Sequence, residues 1–395
     1  MINERMYELG SKRSVIRELF EFGRKRAAEI GEENVFDFSI GNPNVPAPEE
    51  INSTAERLLD TLPSPAAHGY TSAQGDAEVR SSIASYIEQT FSFPARASEL
   101  YLTVGAAAAV TITVRAVTSS PDDEVIVLAP FFTEYSVFVG NAGAKLVVVP
   151  PKKPDFGINF EGLEKAITAN TRAIIIDSPN NPTGVIYTKD ELKRLGSLLT
   201  EKAKEFGGAI YLISDEPYRD ITYGKEVPYV PKYYPDTVVC YSYSKSLSLP
   251  GERIGYIFVP TQAYDAPKLY AAVAGAGRSM GYVCAPSLFQ KVIGKCQGLT
   301  SDLSVYRTNR DLLLGMLREI GYECVEPDGA FYLFVKALED DANAFSERAK
   351  KFDLLLVPGD DFGGPGYVRI AYCTSTDKIR RSRTAFEKLF ADYRK

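Results

Sequence analysis

Lys245 sits in the run Tyr241-Ser242-Tyr243-Ser244-Lys245-Ser246-Leu247-Ser248-Leu249-Pro250-Gly251-Glu252-Arg253. An amine just after an apolar stretch, among serines and eight residues ahead of an arginine, suits a phosphate-bearing ligand. Hydroxyls and a guanidinium hold the phosphate, and the amine can form an imine. Alone, such a lysine is far more often a surface residue in a Ser-rich loop. Three further segments change those odds. Asp215-Glu216-Pro217-Tyr218 ends an apolar run, and a carboxylate there is costly unless it meets a cation or several donors; otherwise it reads as a helix N-cap. Ser178-Pro179-Asn180-Asn181-Pro182-Thr183-Gly184 follows another such run and reads alternatively as a tight turn. Gly105, with Ala106 and Ala107, opens a helix whose free amides can hold an anion, or simply starts that helix.

The scarcest residues narrow the chemistry. The single histidine, His68, cannot build a His-based zinc site within one chain. Without it as base, Ser-His-Asp and Cys-His arrangements are excluded too. Cys240, Cys284, Cys296, Cys324 and Cys373 are scattered, with no C-x-x-C pair, as in reduced cytosolic thiols. No metal site is expected. The work falls to Lys, Arg, Asp, Tyr or a borrowed cofactor. With 45 basic and 51 acidic side chains the net charge is −6, and no basic tract is present, a poor match to nucleic acid or an anionic membrane. No apolar run approaches the ~20 residues of a membrane span. The start, Met-Ile-Asn-Glu-Arg-Met, lacks a signal peptide's order, so the expected location is cytoplasmic.

The elements that must position these residues follow from apolar patterning. At about 150 residues per domain, 395 residues suggest two or three lobes. A first helix, capped by Ser14, carries Val15, Leu19, Phe22 and Arg26 at helical spacing and stops at Gly31. A strand is expected over Val35 to Ile40 and a helix from Asp76 to Thr90. Then short runs at Leu100–Val104, Val125–Leu128, Leu146–Val149, Ala173–Asp177, Ala209–Asp215, Thr237–Tyr241 and Ile254–Val259 alternate with helical patterns such as Lys189–Glu205. Apolar throughout, they read as strands buried on both faces. The expected architecture is an α/β fold: a large domain, residues 46–285, with a mostly parallel central sheet covered by helices, and a smaller α+β domain, 286–395. Residues 1–45 form an arm joining the small domain. In the small domain, helices are expected at Tyr306–Ile320, Ala342–Phe352 and Thr376–Tyr393. Its strands are expected at Tyr322–Val325, Phe331–Val335, Leu354–Val357 and Tyr367–Ala371. Ligands bind beyond the carboxyl ends of parallel strands. Gly105, Phe131, Phe132, Asn180, Asn181, Asp215 and Ser242 to Lys245 all fall there.

Taken in order, the motifs resemble the class I and II aminotransferases, pyridoxal-phosphate enzymes of the aspartate aminotransferase fold. The resemblance rests on Ser39-Ile40-Gly41-Asn42-Pro43, Tyr70 with Gly75 and Arg80, and Thr103-Val104-Gly105. It continues through Asn180-Asn181-Pro182-Thr183-Gly184, Asp215-Glu216-Pro217-Tyr218, Ser242-Tyr243-Ser244-Lys245, Arg253, Pro358-Gly359-Asp360-Asp361-Phe362-Gly363 and Arg369. It implies pyridoxal 5′-phosphate as cofactor, bound to Lys245, which shuttles the substrate's α-proton. Asp215 pairs with the pyridinium nitrogen. Asn181 and Tyr218 bond the ring's 3-oxygen, and Ser242, Arg253 and the amides of Gly105, Ala106 and Ala107 bind the phosphate. Phe132 stacks on the ring, with Phe131 the alternative, and Tyr70 reaches the phosphate of the neighbouring subunit, implying a homodimer. Arg369 clamps the substrate's α-carboxylate with a fork that lysine cannot reproduce, and Gly41 helps through its backbone. Arg278 lies near where dicarboxylate-specific relatives carry a second arginine from the neighbouring subunit, which favours aspartate or a related amino acid as donor over the alternative of a structural ion pair. His68 is read as structural. The Gly-Ala-Ala-Ala-Ala phosphate loop departs from relatives with polar side chains there, and leaves binding to the backbone. The implied reaction moves an amino group from an amino acid to a 2-oxo acid. A carbon–sulfur β-lyase on the same scaffold is the alternative, and a non-enzymatic binding module is disfavoured because Asp215, Lys245, Arg253 and Arg369 are all present. A nicotinamide dehydrogenase lacks its G-x-G-x-x-G.

Overall fold

Seven strands form the sheet that carries the strand ends named above. They are β1 (Leu100–Thr103), β2 (Glu124–Leu128), β3 (Lys145–Val149), β4 (Thr171–Asp177), β5 (Tyr211–Asp215), β6 (Thr237–Ser242) and β7 (Gly255–Phe258). The computed structural model describes residues 2–11 and 15–394, so the expected cap Ser14 lies outside the described residues. The strand order is β1-β7-β6-β5-β4-β2-β3. Only β7 runs against its neighbours; the pairs from β6 through β3 are parallel.

Alternation explains why continuous apolar runs were needed. Val125, Val127, Ala173 and Ile175 pack on one face with helices Ala106–Val117 and Ala266–Ser279. Ile126, Leu128, Ile174 and Ile176 pack on the other with Leu192, Leu195 and Leu199 of helix Lys189–Phe206. Strands covered on both faces cannot alternate apolar with polar residues. That last helix is delimited locally: Thr188 and Glu191 form a capping box, and Gly207 ends it at φ 70°.

The small lobe is a four-stranded antiparallel sheet, ordered Val357–Pro358, Tyr367–Ala371, Tyr332–Lys336 and Cys324–Val325, with helices Ser304–Ile320, Ala342–Lys350 and Thr376–Asp392. The N-terminal segment packs here: Phe36–Asp37 pairs with Leu354–Leu355, and Leu19 meets Leu355, Val357 and Phe362. The strand expected over Val35 to Ile40 is only Phe36–Asp37, because the chain then leaves the sheet for the site. The run Leu354 to Val357 is two short strands, one for each of two sheets. Beyond Pro286, where the composition predicts the small lobe, helix Ser287–Lys295 still packs with Ile51, Val79 and Ile83 through Val292 and Ile293. The small-lobe core begins with Leu303 and Tyr306. Among the described residues no helix is long and apolar enough to cross a membrane, and no His/Cys/Asp/Glu group could hold a metal ion.

Candidate active site

The ends of β1, β2, β4, β5 and β6 surround a cavity of about 220 Å³. Ala106, Ala107, Phe132, Asn181, Asp215, Tyr218, Ser242, Lys245 and Arg253, all singled out in the sequence, line it. Asp215, the last residue of β5, is buried. Its Oδ2 accepts from Tyr135 Oη at 2.7 Å, while its buried Oδ1 has no partner among the described residues. Burial pushes its carboxyl up to about 7, against the Tyr135 hydrogen bond, which lowers it, and with the Glu216 charge, which raises it.

Lys245 follows β6 in the turn the serines form. Its Nζ donates to the Gly41 carbonyl at 2.8 Å and lies 5.5 Å from the Phe331 ring centre. Burial lowers its pKa to about 8; Arg253 and Arg369 act the same way, and Cys373 opposes them. Arg253, at φ 51°, donates through Nη1 to the Pro250 carbonyl at 2.9 Å and Ser244 Oγ at 3.5 Å. Its guanidinium faces Gly105 and the start of helix Ala106–Val117, whose first amides have no intrahelical acceptor. Together these donors make an anion pocket.

Arg369 is buried on strand Tyr367–Ala371. Nη1 donates to Asn181 Oδ1 at 3.1 Å and Nη2 to the Ser39 carbonyl at 2.6 Å. Nε has no partner among the described residues. The bond to Arg369 turns the Asn181 amide so that Nδ2 is the donor left for a ligand. Tyr218 Oη lies 2.8 Å from Tyr332 Oη, whose ring packs under the Arg369 guanidinium at 4.7 Å.

Several expected residues are not brought to this cavity. Tyr70 is 98% exposed. Arg278, near the end of helix Ala266–Ser279, and His68 are also exposed. Phe132 lines the cavity, whereas Phe131 is buried beside Gly363. Sequence reasoning passed over Tyr135, Asp177 and Tyr332. Asp177 ends β4 as the register partner of Asp215, lines the cavity, and accepts from Asn180 Nδ2 at 2.5 Å and the Asn181 amide at 2.9 Å. Burial holds its carboxyl well above the usual range. The strand-end rule that selected Asp215 selects it equally; Tyr135 and Tyr332 carry no local signal.

A family model for aminotransferase class I and II matches residues 33–386. The chain belongs to the class I and II aminotransferases. An aspartate aminotransferase from Pyrococcus horikoshii is 31% identical over 392 residues, covering 95% of this chain and 94% of its own. A probable N-acetyl-LL-diaminopimelate aminotransferase from Bacillus subtilis is 30% identical over 367 residues, covering 90% and 89%. A solved amino transferase from Eubacterium rectale is 57% identical and superposes with a TM-score of 0.99 over 100% of both chains. As a class I/II aminotransferase the protein is an enzyme dependent on pyridoxal 5′-phosphate. The cavity fits that group. Among the described residues Asp215 Oδ1 is a buried acceptor without a donor, the Arg253 pocket suits a phosphate, and Lys245 offers a desolvated amine.

Proposed function

We propose that this aminotransferase moves the amino group of an L-amino acid, aspartate or a related donor, to a 2-oxo acid by a ping-pong mechanism, as a cytoplasmic homodimer. The observation that carries the reading is the pairing, in one cavity, of the Lys245 amine with the unpartnered Asp215 oxygen. Bound pyridoxal phosphate supplies an aldehyde for the amino group and a cationic ring that draws electrons from the substrate's α-carbon. Asp215 Oδ1 accepts from the ring nitrogen and keeps it protonated. Asn181 Nδ2 and Tyr218 Oη donate to the ring's 3-oxygen, and Phe132 covers a ring face. Ser242, Arg253 and the amides at Gly105, Ala106 and Ala107 hold the phosphate.

Lys245 Nζ takes the α-proton of the bound amino acid. A pKa near 8 brings the amine closer to working pH than an exposed lysine, so less free energy is needed to free its lone pair. Arg369 grips the α-carboxylate with its planar fork, and the Gly41 backbone closes the opposite side. Tyr70, exposed in the single chain, reaches the phosphate of the neighbouring subunit. Arg278, also exposed, is the candidate partner for a second substrate carboxylate; the name of the Pyrococcus horikoshii relative supports a dicarboxylate donor.

Single half-reactions test this directly. The cofactor's absorption band is followed after adding aspartate, glutamate, aromatic, alanine or methionine donors to the pure enzyme. Conversion by aspartate or glutamate well ahead of the others is expected. A band that no donor converts would overturn the proposal, and ammonia and pyruvate released from cystathionine without added oxo acid would overturn it in favour of elimination. Lys245→Ala is expected to fold and lose turnover; retained turnover would remove the lysine from its role.

A further inference from the structure

The two oxygens of Asp215 are treated differently. Tyr135, in the first turn of helix Glu134–Asn141, donates to Oδ2 at 2.7 Å, and Oδ1 is left without a partner among the described residues. Both side chains are buried. The Tyr135 ring also stands edge-on to Phe132, centre to centre 5.6 Å at 90°, and Phe132 lines the cavity. We propose that Tyr135 is the positioning residue for the cofactor ring: its hydroxyl fixes the Asp215 carboxylate with Oδ1 toward the ring nitrogen, and its ring edge sets the orientation of Phe132. The proposal rests on the assignment of Asp215 to that nitrogen.

The surroundings of Asp215 explain why one donor matters. Asp177 on β4 and Cys240 on β6 are its register partners. Glu216 is its chain neighbour, and Tyr218 lies in the turn beyond. Lys245 and Arg253 are the cations that line the same cavity, Lys245 donating to the Gly41 carbonyl and Arg253 to the Pro250 carbonyl, while Arg219 is committed to Glu216 Oε2 at 2.5 Å and the Cys240 thiol contacts Thr113. Among the described residues Tyr135 is therefore the side-chain donor that favours the ionised Asp215 carboxylate. Burial, with the Asp215 and Asp177 charges behind it, holds the Tyr135 phenol far above its ordinary range, so it keeps its proton and remains a donor. A neutral Asp215 could not balance a protonated ring nitrogen. Loss of the hydroxyl should raise the carboxyl pKa, so pairing would fail at a higher pH as the solution is acidified.

The full-length enzyme, stripped of cofactor, is titrated with pyridoxal phosphate and with pyridoxine 5′-phosphate, which has the ring nitrogen and phosphate but no aldehyde for Lys245. Tyr135→Phe should weaken binding of the second probe by about tenfold, in keeping with loss of a hydrogen bond to a charged group. It should also move the acid limb of affinity against pH upward. 3-Fluorotyrosine at position 135 keeps shape and packing but donates more strongly, and should move that limb downward; it serves equally if the Phe variant fails to fold. In an Asp215→Asn background, Tyr135→Phe should have no further effect. A Tyr135→Phe enzyme that melts earlier with affinity and pH limb unchanged, or an equal loss in both backgrounds, would overturn the proposal. An Asp215→Asn enzyme that binds both probes as the wild type does would instead remove the assignment of Asp215 itself.

Discussion

Burial penalises the charged forms of both Asp215 and Lys245, and their effects on stability change with pH in opposite directions. The folded-state pKa of Asp215 is raised from 3.8 to about 7, so between those values the folded chain holds a proton that the unfolded chain releases. Its contribution therefore falls as pH rises through that window and stays low above it. Lys245 is lowered from 10.5 to about 8, so the unfolded chain holds the extra proton and stability climbs between pH 8 and 10.5. Without cofactor, the site is least favourable near neutrality. Asp215→Asn should accordingly stabilise the cofactor-free enzyme at pH 8, by at most about 4 kcal/mol for a three-unit shift, with the gain vanishing toward pH 4. Denaturant melts at the two pH values measure it; a gain independent of pH would refute the linkage. Both residues were legible in the sequence because each ends or follows an apolar run. Tyr135 was not, since a tyrosine in a helix's first turn looks the same whether or not a carboxylate lies above it.

At the scale of elements, the anion pocket depends on the junction between β1 and helix Ala106–Val117. Gly105 bridges them at φ +92°, and a Cβ there would lie 2.6 Å from Arg253 Nη2. Arg253 itself sits at φ 51°, a conformation a non-glycine residue adopts at a cost. The two backbones approach because glycine leaves room for the guanidinium over the helix amides. Gly105→Ala should destabilise the protein by about 1–3 kcal/mol and weaken pyridoxal phosphate binding by tenfold or more. Chemical denaturation and a cofactor titration read the two effects; unchanged cofactor affinity would show that the guanidinium has room elsewhere. The glycine, the helix start and the arginine were each visible in the chain. Their contact was not, because positions 105 and 253 meet only when β7 inserts between β1 and β6.

Across the molecule, the site is where the lobes and the N-terminal segment meet. Asn181 with Arg369, Tyr218 with Tyr332, and Lys245 with the Gly41 carbonyl each join residues of different parts of the chain. Further contacts hold the same seam: Thr222 bridges Gly329, and Lys225 pairs with Asp328 at 2.7 Å. Tyr70 faces outward, so the homodimer reading makes a whole-molecule prediction. Lys245→Ala and Tyr70→Ala chains, each impaired alone, should regain roughly a quarter of wild-type activity when mixed and reassociated, since half the dimers are hybrid and each hybrid has one intact site. No recovery in chains that demonstrably exchange would place Tyr70 outside the neighbour's site.

Local patterning by itself determined the element types, the mostly parallel sheet and the strand ends that face the cavity. Those depend on whether successive side chains are apolar and where the run stops. Tertiary structure alone decided which oxygen of Asp215 is free among the described residues, which way the Asn181 amide turns, and that the Gly41 carbonyl accepts from Lys245. Each depends on partners far apart in the chain, 188 residues for Asn181 and Arg369 and 204 for Lys245 and Gly41. A hydrogen bond fails over a few tenths of an ångström, so such pairings exist only once sheet register and lobe packing have set the distance.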